Sequence, residues 1–282
     1  MSGWQPGTGP SLAEAAELLA TRALSVEGRL PWSSNLTFLV SLEGTGAEVG
    51  RPPGDDVGPH ADTEGDTDSG PATDADADGD GNSGALVQAV YKPHQGEQTL
   101  WDFPDGLYRR EVAAHRLSEA LGWGIVPPTV LREDAPFGPG SLQLFVAADY
   151  QQHYFTLLEE GGREDELMVF CAFDVVANNA DRKSGHVLHA PDGRLWGIDH
   201  GLCFHAHPKL RSVIWDFAGE EVPAHLVADL ARLVDAGLSE DLGGLLSAAE
   251  GEAVLERAAW LVETGAFPEP RGDRPPYPWP LV

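Results

Sequence analysis

A long acidic stretch separates two parts of the sequence that can fold. Residues 44–84 consist mainly of Gly, Asp, Pro, Thr and Ser and contain almost no large apolar side chain. Such a segment cannot bury enough apolar surface to offset the entropy lost on ordering. Apolar, β-branched sequence stands on either side, at 36–42 and 85–93, and predicts two strands. We therefore expect a disordered acidic insertion between these strands.

Part of this stretch has the opening pattern of a calcium-binding loop. The sequence DADADGDG begins at Asp74 and alternates carboxylates as an EF-hand loop does. The EF-hand pattern also needs a bidentate Glu at its twelfth position, where this chain has Ala85, and no amphipathic helices flank the loop. A solvated acidic insertion is therefore favoured over a calcium site.

The charge balance excludes two classes of partner. The 282 residues include 18 basic and 45 acidic side chains, which gives a net charge of −27. Non-specific nucleic-acid binding and polybasic membrane anchoring both depend on basic residues, so neither is expected.

The two cysteines, Cys171 and Cys203, are too few for a disulfide scaffold. The sequence shows no signal peptide and no long apolar run, which predicts a cytoplasmic protein without stable membrane insertion.

Hydrophobic periodicity predicts an α+β chain whose strands lie mostly in the first half. Strands are expected at 36–42, 85–93, 126–133 and 141–150, a hairpin at 187–199, and helices at 12–24, 107–121, 164–178, 223–236, 239–246 and 248–264. The corresponding domains are a helical N-terminal segment (1–30), a sheet lobe (31–150), a helical lobe (151–266) and a Pro-rich tail (267–282).

Four charged side chains stand where a cleft between the two lobes would form. Lys92 ends a predicted strand, and because a buried ammonium needs a partner, Glu111 on the next helix is its natural candidate. Asp181 lies in a polar loop and Asp199 follows the hairpin, and two carboxylates in one cleft repel unless a cation or proton lies between them. These are the parts of a phosphoryl-transfer site, although a structural ion pair explains Lys92 and Glu111 equally well.

Four motifs in order resemble the phosphatidylinositol 3-/4-kinase-like branch of the protein-kinase-like fold, which also includes HipA-type kinases. VYKP (90–93) resembles the strand whose Lys reaches the nucleotide phosphates, and REVAAHRLSEAL (110–121) the helix whose Glu pairs with that Lys. NADRKSGHVL (179–188) resembles the catalytic loop, and GIDHG (197–201) the motif with the metal-binding Asp. The resemblance is to an uncharacterised bacterial family and implies a two-lobed fold, with a small antiparallel-sheet lobe carrying one helix and a mostly helical second lobe.

The resemblance implies a role for each matched position. Lys92 and Glu111 would bind ATP, Asp199 would bind Mg²⁺ or Mn²⁺, and Asp181 would act on the acceptor hydroxyl. The catalytic loop departs from the family at two positions, since Lys183 replaces a His and His186 replaces a metal-binding Asn. We expect Lys183 to neutralise charge on the transferring phosphoryl group. We expect His186 to contribute to the metal site, where imidazole suits Mn²⁺ better than Mg²⁺, and the alternatives are that it hydrogen-bonds phosphate or holds water on the metal.

Two short segments complete the expected nucleotide site. The glycine-rich loop of ordinary protein kinases is missing, and Ser33 and Ser34, in a turn before the first strand, are the candidate contacts to phosphate. Phe145 and Val146 follow the last strand of the sheet and are expected to connect the lobes and face adenine.

The predicted function is transfer of a phosphoryl group from ATP to a hydroxyl of an unknown protein, small-molecule or lipid acceptor. Because the chain is strongly acidic and has no basic patch, a protein or small molecule is favoured over a lipid surface. The departures in the catalytic loop leave open a nucleotide-binding pseudokinase and an AMP-transferring regulatory protein. An α+β protein whose motifs are only structural ion pairs also stays open.

Overall fold

The computed structural model describes residues 4–5, 9–31, 35–43, 86–270, 272 and 275–282. The predicted acidic insertion at 44–84, its calcium-like loop, and the candidate phosphate contacts Ser33 and Ser34 lie outside the described residues.

A five-stranded antiparallel sheet forms the first lobe. Its strands are β1 (Leu24–Arg29), β2 (Phe38–Leu42), β3 (Gln88–Pro93), β4 (Thr129–Arg132) and β5 (Gly140–Leu144), in the order β1-β2-β3-β5-β4. Side chains alternate across β3, so that Ala89 and Tyr91 are buried on one face while Val90 and Lys92 point to the other. This alternation directs the ammonium of Lys92 towards the second lobe.

Two helices pack on this sheet, one more than the sequence predicts. Helix α1 (Leu12–Thr21) buries Ala15 and Leu19 in the same core as Tyr91, and contacts β4 and β5. Helix α2 (Leu107–Leu121) also contacts β4 and β5, but from the side that carries Lys92. The sheet is therefore covered on both faces, and only α2 borders the space between the lobes.

The N-terminal segment differs from the prediction of a helical segment over 1–30. Helix α1 ends at Thr21, and Leu24–Arg29 forms the first strand, paired with β2. The sequence missed this strand because it lies at the sheet edge with almost every side chain exposed, so its residues lack the apolar alternation that identifies a half-buried strand.

The second lobe is mostly helical. Its elements are α3 (Tyr154–Glu160), α4 (Glu164–Ala177), β6 (Val187–His189), β7 (Leu195–Gly197), α5 (Ala224–Ala236), α6 (Glu240–Gly243) and α7 (Ala248–Thr264). Strands β6 and β7 form the predicted hairpin, and α3 is an addition that the sequence analysis missed. Helix α4 is apolar around most of its circumference because it lies in the core of this lobe. The predicted α+β architecture, with a small antiparallel-sheet lobe and a mostly helical lobe, is confirmed.

The two lobes share helix α2. Its residues Ala113, Ala114, Leu117 and Leu121 belong to the core of the helical lobe, although the helix packs on the sheet.

Both cysteines are buried free thiols. None of the helices in the described part of the chain is long and apolar enough to cross a membrane.

Candidate functional site

A cleft of about 600 Å³ lies between the sheet and the helical lobe. It is lined from β3, from α2, from the loop after α4, and from the segment after β7. Of the eight predicted site residues that the structure describes, six line it: Lys92, Glu111, Asp181, Lys183, His186 and Asp199. Residues that are more than 100 positions apart in the sequence therefore meet in one cavity.

Lys92 forms the centre of the polar network in this cleft. Its ammonium donates to Glu111 Oε1 in an ion pair, and to Asp199 Oδ1 at 2.8 Å. Burial alone would lower the pKa of Lys92, but the carboxylates of Asp199 and Glu111 outweigh burial and raise that pKa above its usual value. Glu111 Oε2 also accepts from the backbone N–H of His200 at 2.9 Å. Lys92 is thus a fixed, permanently charged cation that faces the cleft.

Asp199 is held in a strained backbone conformation directly after β7. Its φ is +60°, a left-handed value that costs a non-glycine residue free energy, and such strain recurs at functional sites. Its side chain is half exposed to the cleft, between Lys92 and His186. The ammonium of Lys92 holds the pKa of Asp199 well below its usual range. Asp199 therefore presents a charged, partly accessible carboxylate, which is the kind of group that Mg²⁺ or Mn²⁺ binds.

The hydrogen-bond network assigns the tautomer of His186. Its Nδ1 accepts from the backbone N–H of Lys183 at 3.4 Å, so the ring proton lies on Nε2, which is 3.4 Å from Asp199 Oδ2. Burial lowers the pKa of His186 to about 4, which keeps the ring neutral at pH 7. In this tautomer Nε2 carries the ring proton and faces Asp199, and the expected role of His186 in the metal site stays a prediction.

Asp181 also lines the cleft and has its own cation. Lys183 Nζ donates to Asp181 Oδ2 at 2.9 Å, and the backbone N–H of Asp181 donates to Asn179 Oδ1 at 3.0 Å. Burial raises the pKa of Asp181 above its usual value, and the ammonium of Lys183 limits the rise. A carboxylate with a raised pKa is a better proton acceptor, which suits a group that faces a reacting hydroxyl.

A buried ion pair fixes the loop that carries Asp181. The guanidinium of Arg182 is fully buried and binds Asp174 of α4, with its Nη2 2.9 Å from Asp174 Oδ1. Arg182 also donates to the backbone oxygens of His186 and Ile198, both at 3.2 Å. Arg182 therefore links the loop of Asp181 to the segment between β7 and Asp199. Arg182 was not among the predicted site residues. The signal that could have identified it is its position directly after Asp181.

Helix α2 is fixed to both lobes, which sets the position of Glu111. Arg110 forms a buried ion pair with Glu250 of α7 and donates to the backbone oxygen of Cys203 at 2.7 Å. At the start of α2, Glu97 accepts from the backbone N–H groups of Gly106 and Tyr108 at 3.1 and 2.6 Å, and so caps the helix.

Phe145 and Val146 lie elsewhere. Among the described residues, neither of them lines the cleft, and Val146 is buried in the core that contains Tyr91 of β3 and Trp196 of β7. The backbone on either side of Val146 is hydrogen-bonded to Trp4. Their predicted contact with adenine stays a prediction.

Comparison with known proteins gives one sequence relative. No protein-family model matches the chain. Protein Rv2133c of Mycobacterium tuberculosis (strain ATCC 25618 / H37Rv) is 40% identical over 231 residues, which span 69% of this chain and 82% of the relative. The chain belongs to the Rv2133c family.

Solved structures show the fold of this Rv2133c-family member. A crystal structure of the Golgi casein kinase with Mn/ADP bound superimposes with a TM-score of 0.50, covering 96% of this chain and 80% of that chain at 12% identity. A second crystal structure of the Golgi casein kinase gives a TM-score of 0.50 at 13% identity, covering 89% of this chain and 73% of that chain. The predicted two-lobed protein-kinase-like fold is confirmed.

The C-terminal tail of this Rv2133c-family member forms one wall of the cleft. Trp279, Pro280 and Val282 line it, and the backbone oxygen of Leu281 accepts from the N–H of Ser184 at 2.8 Å. The sequence predicts an extended Pro-rich tail but not its position, because no local pattern tells where an extended segment docks. The tail narrows the cleft on the side of Asp181.

Proposed function

We propose that the chain transfers the terminal phosphoryl group of ATP to a hydroxyl acceptor. The observation that carries the proposal is the linked set of Lys92, Glu111 and Asp199, which lines one cleft together with Asp181. A cation braced by a carboxylate, a partly exposed second carboxylate and a third one with a raised pKa are what phosphoryl transfer needs for positioning and charge neutralisation.

Each group acts on a different part of the reaction. Lys92 binds phosphate oxygens and Glu111 keeps its ammonium in place. Asp199 holds the divalent cation, which when bound neutralises negative charge on the phosphates. His186 orients Asp199 through Nε2–H, and Lys183 offers a second cation to the transferring group. Asp181 orients the acceptor hydroxyl and takes its proton as the new oxygen–phosphorus bond forms and the bond to ADP breaks.

The nucleotide and metal are proposed on two grounds. The Golgi casein kinase, which shares this fold, has been crystallised with Mn/ADP bound. In this chain the donor set also fits, since Asp199 is a half-exposed oxygen ligand next to the cation that would bind the phosphates. We therefore propose ATP with Mg²⁺ or Mn²⁺.

The acceptor class is proposed from charge. The motifs resemble the phosphatidylinositol 3-/4-kinase-like type, but a fold does not transfer a substrate. A net charge of −27 opposes docking on an anionic bilayer. We propose a hydroxyl of a protein or a small molecule ahead of a lipid.

A second candidate is a nucleotide-binding protein without turnover. It is favoured by the two departures in the catalytic loop, because Nε2–H of His186 lies 3.4 Å from Asp199 at the position where the kinase-like family that the motifs resemble has a metal-binding Asn. AMP transfer is distinguished from both by the mass of the group that is added.

The test is an incubation with ATP and Mg²⁺ or Mn²⁺, followed by intact-mass analysis of the protein and measurement of ADP formation, for the parent, Asp181→Asn and Asp235→Asn. Asp235 is an exposed residue of α5 far from the site residues in sequence and serves as the matched control. We expect the parent and the control to form ADP, and Asp181→Asn to form it on the order of 100-fold more slowly while still binding ATP. Equal rates for Asp181→Asn and the parent would contradict the proposal. Addition of AMP in place of phosphate would favour nucleotidyl transfer.

A further inference from the structure

The backbone of Trp4 is paired with the connection between the two lobes. Trp4 N–H donates to the oxygen of Phe145 at 2.7 Å, and the N–H of Ala147 donates to the oxygen of Trp4 at 3.0 Å. This pairing makes an isolated parallel bridge between Trp4 and Val146. The backbone of Trp4 is therefore hydrogen-bonded both to an oxygen and to an N–H of residues 145–147, which connect the lobes.

The oxygen of Phe145 and the N–H of Ala147 face the space next to Gln88, at the N-terminal end of β3. The N–H of Phe145 donates to the oxygen of Gln88, the first residue of β3, at 3.0 Å. In an extended chain the polar groups of a residue and of the second residue after it point to the same edge. The oxygen of Phe145 and the N–H of Ala147 therefore point to the same side as β3. On this side, the backbone of Trp4 pairs with residues 145–147 next to the N-terminal end of β3.

The indole of Trp4 fills the same region. It packs edge-on against Trp196 of β7, with ring centroids 6.5 Å apart and an interplanar angle of 83°. Its Nε1–H donates to the oxygen of Pro10 at 2.8 Å. Trp4 therefore lies between the sheet and the β6–β7 hairpin, packed against the core that contains residues of both.

The open cleft ends before this region. The described residues that line the cleft include Lys92, Asp199 and Asp181, which are proposed to act on the phosphates, the metal and the acceptor. Residues 145–147 are not among the described lining residues. The paired donor and acceptor of Phe145 and Ala147 are what the edge of a purine base, with its own adjacent donor and acceptor, can bind. In this structure Trp4 holds both.

We propose that Trp4 occupies the position of the nucleotide base, so that the chain carries a tethered competitor for its own ATP site. The inference rests on the proposed function, because it assumes that the triphosphate lies at Lys92. Binding of a complete nucleotide then requires Trp4 to leave, which lowers the apparent affinity by the fraction of molecules in which the site is open. Binding of a triphosphate without a base leaves Trp4 in place.

Titration calorimetry with ATP and with inorganic tripolyphosphate, each with Mn²⁺, separates the two cases. The proteins compared are the parent, Trp4→Ala, a chain that begins at Gly9, and Trp101→Ala as the control. Gly9 precedes Ser11, so α1 keeps its N-terminal cap, and Trp101 is 95% exposed on the sheet lobe. We expect both Trp4 variants to bind ATP at least tenfold more tightly than the parent and the control, with equal tripolyphosphate affinity in all four. If both variants bind ATP no more tightly than the parent while tripolyphosphate binds as in the parent, the inference is wrong and the proposed function is unaffected.

Hydrogen exchange of the parent gives a test that needs no variant. ATP with Mn²⁺ should expose the amide of Trp4 to exchange, while tripolyphosphate with Mn²⁺ leaves it protected. If both ligands bind and both leave this amide protected, Trp4 does not compete with the base and the inference is wrong. If neither ligand binds the parent or the variants, the proposed function fails, and the inference fails with it.

Discussion

At the scale of single residues, the loop that carries Asp181 depends on a buried ion pair, in which the guanidinium of Arg182 binds Asp174 of α4. Lys92, Glu111, Asp181 and Asp199 were identified from residue type and order, and all four line one cavity. Arg182 was passed over because a charged residue in a polar loop is usually exposed. Its burial depends on Asp174, which only the folded chain brings under the loop.

The ion pair of Arg182 and Asp174 gives the first prediction. Removing one partner of a buried pair leaves an uncompensated charge, so Arg182→Met should lower the free energy of unfolding by about 3–5 kcal/mol. The matched control is Arg116→Met, which removes an exposed pair with Glu119 and should cost about 1 kcal/mol or less. Urea denaturation monitored by tryptophan fluorescence measures both. A cost for Arg182→Met no larger than for Arg116→Met would show that the buried pair does not stabilise the fold.

At the scale of secondary-structure elements, prediction succeeded where a pattern is long and amphipathic. The predicted bounds of α2 and α7 are those of the structure. Strand β1 and helix α3 were missed, since one is an exposed edge strand and the other only seven residues long. The contact between α2 and α7 could not be predicted either, because the Arg110–Glu250 pair joins residues 140 positions apart.

The anchoring of α2 gives the second prediction. Arg110 does not line the cleft among the described residues, yet it ties the helix that carries Glu111 to the helical lobe. Arg110→Met should therefore release α2, let Glu111 move away from Lys92, and weaken binding of ATP with Mn²⁺ by about tenfold, or 1.4 kcal/mol. The control is Arg109→Met, at the exposed neighbouring position on the same helix. Equal ATP affinity in the two variants, measured by calorimetry, would mean that the pair does not position Glu111.

At the scale of the whole molecule, the two-lobed architecture follows from the division of the sequence into strand-rich and helix-rich halves. The acidic stretch was predicted to interrupt two strands, and β2 and β3 are indeed antiparallel neighbours. The backbone N–H of Leu42 donates to the oxygen of Val87 at 2.9 Å, so the chain leaves and re-enters the sheet at adjacent points. Which lobe the two terminal segments contact was not predictable, because neither Trp4 nor the tail has a periodic pattern.

The third prediction concerns this interrupted hairpin. A two-residue Asn-Gly turn fits between paired antiparallel strands, so replacing residues 44–85 by Asn-Gly should close β2 onto β3 directly. Because a shorter loop costs less closure entropy, the melting temperature should be unchanged or higher. Binding of ATP with Mn²⁺ should also be unchanged, since Lys92 and Asp199, the groups proposed to bind phosphate and metal, lie outside the replaced residues. An unfolded product would show that the acidic stretch contributes to the fold.

The central claim is that Lys92 and Asp199 form one nucleotide–metal site. The most direct test is calorimetric titration of ATP, with and without Mn²⁺, into the parent, Lys92→Met, Asp199→Asn and the exposed control Asp235→Asn. We predict that the parent and the control bind ATP only when Mn²⁺ is present, and that the Lys92 and Asp199 variants lose at least tenfold in affinity while staying folded by circular dichroism. ATP binding by both variants with the affinity of the parent would contradict the account.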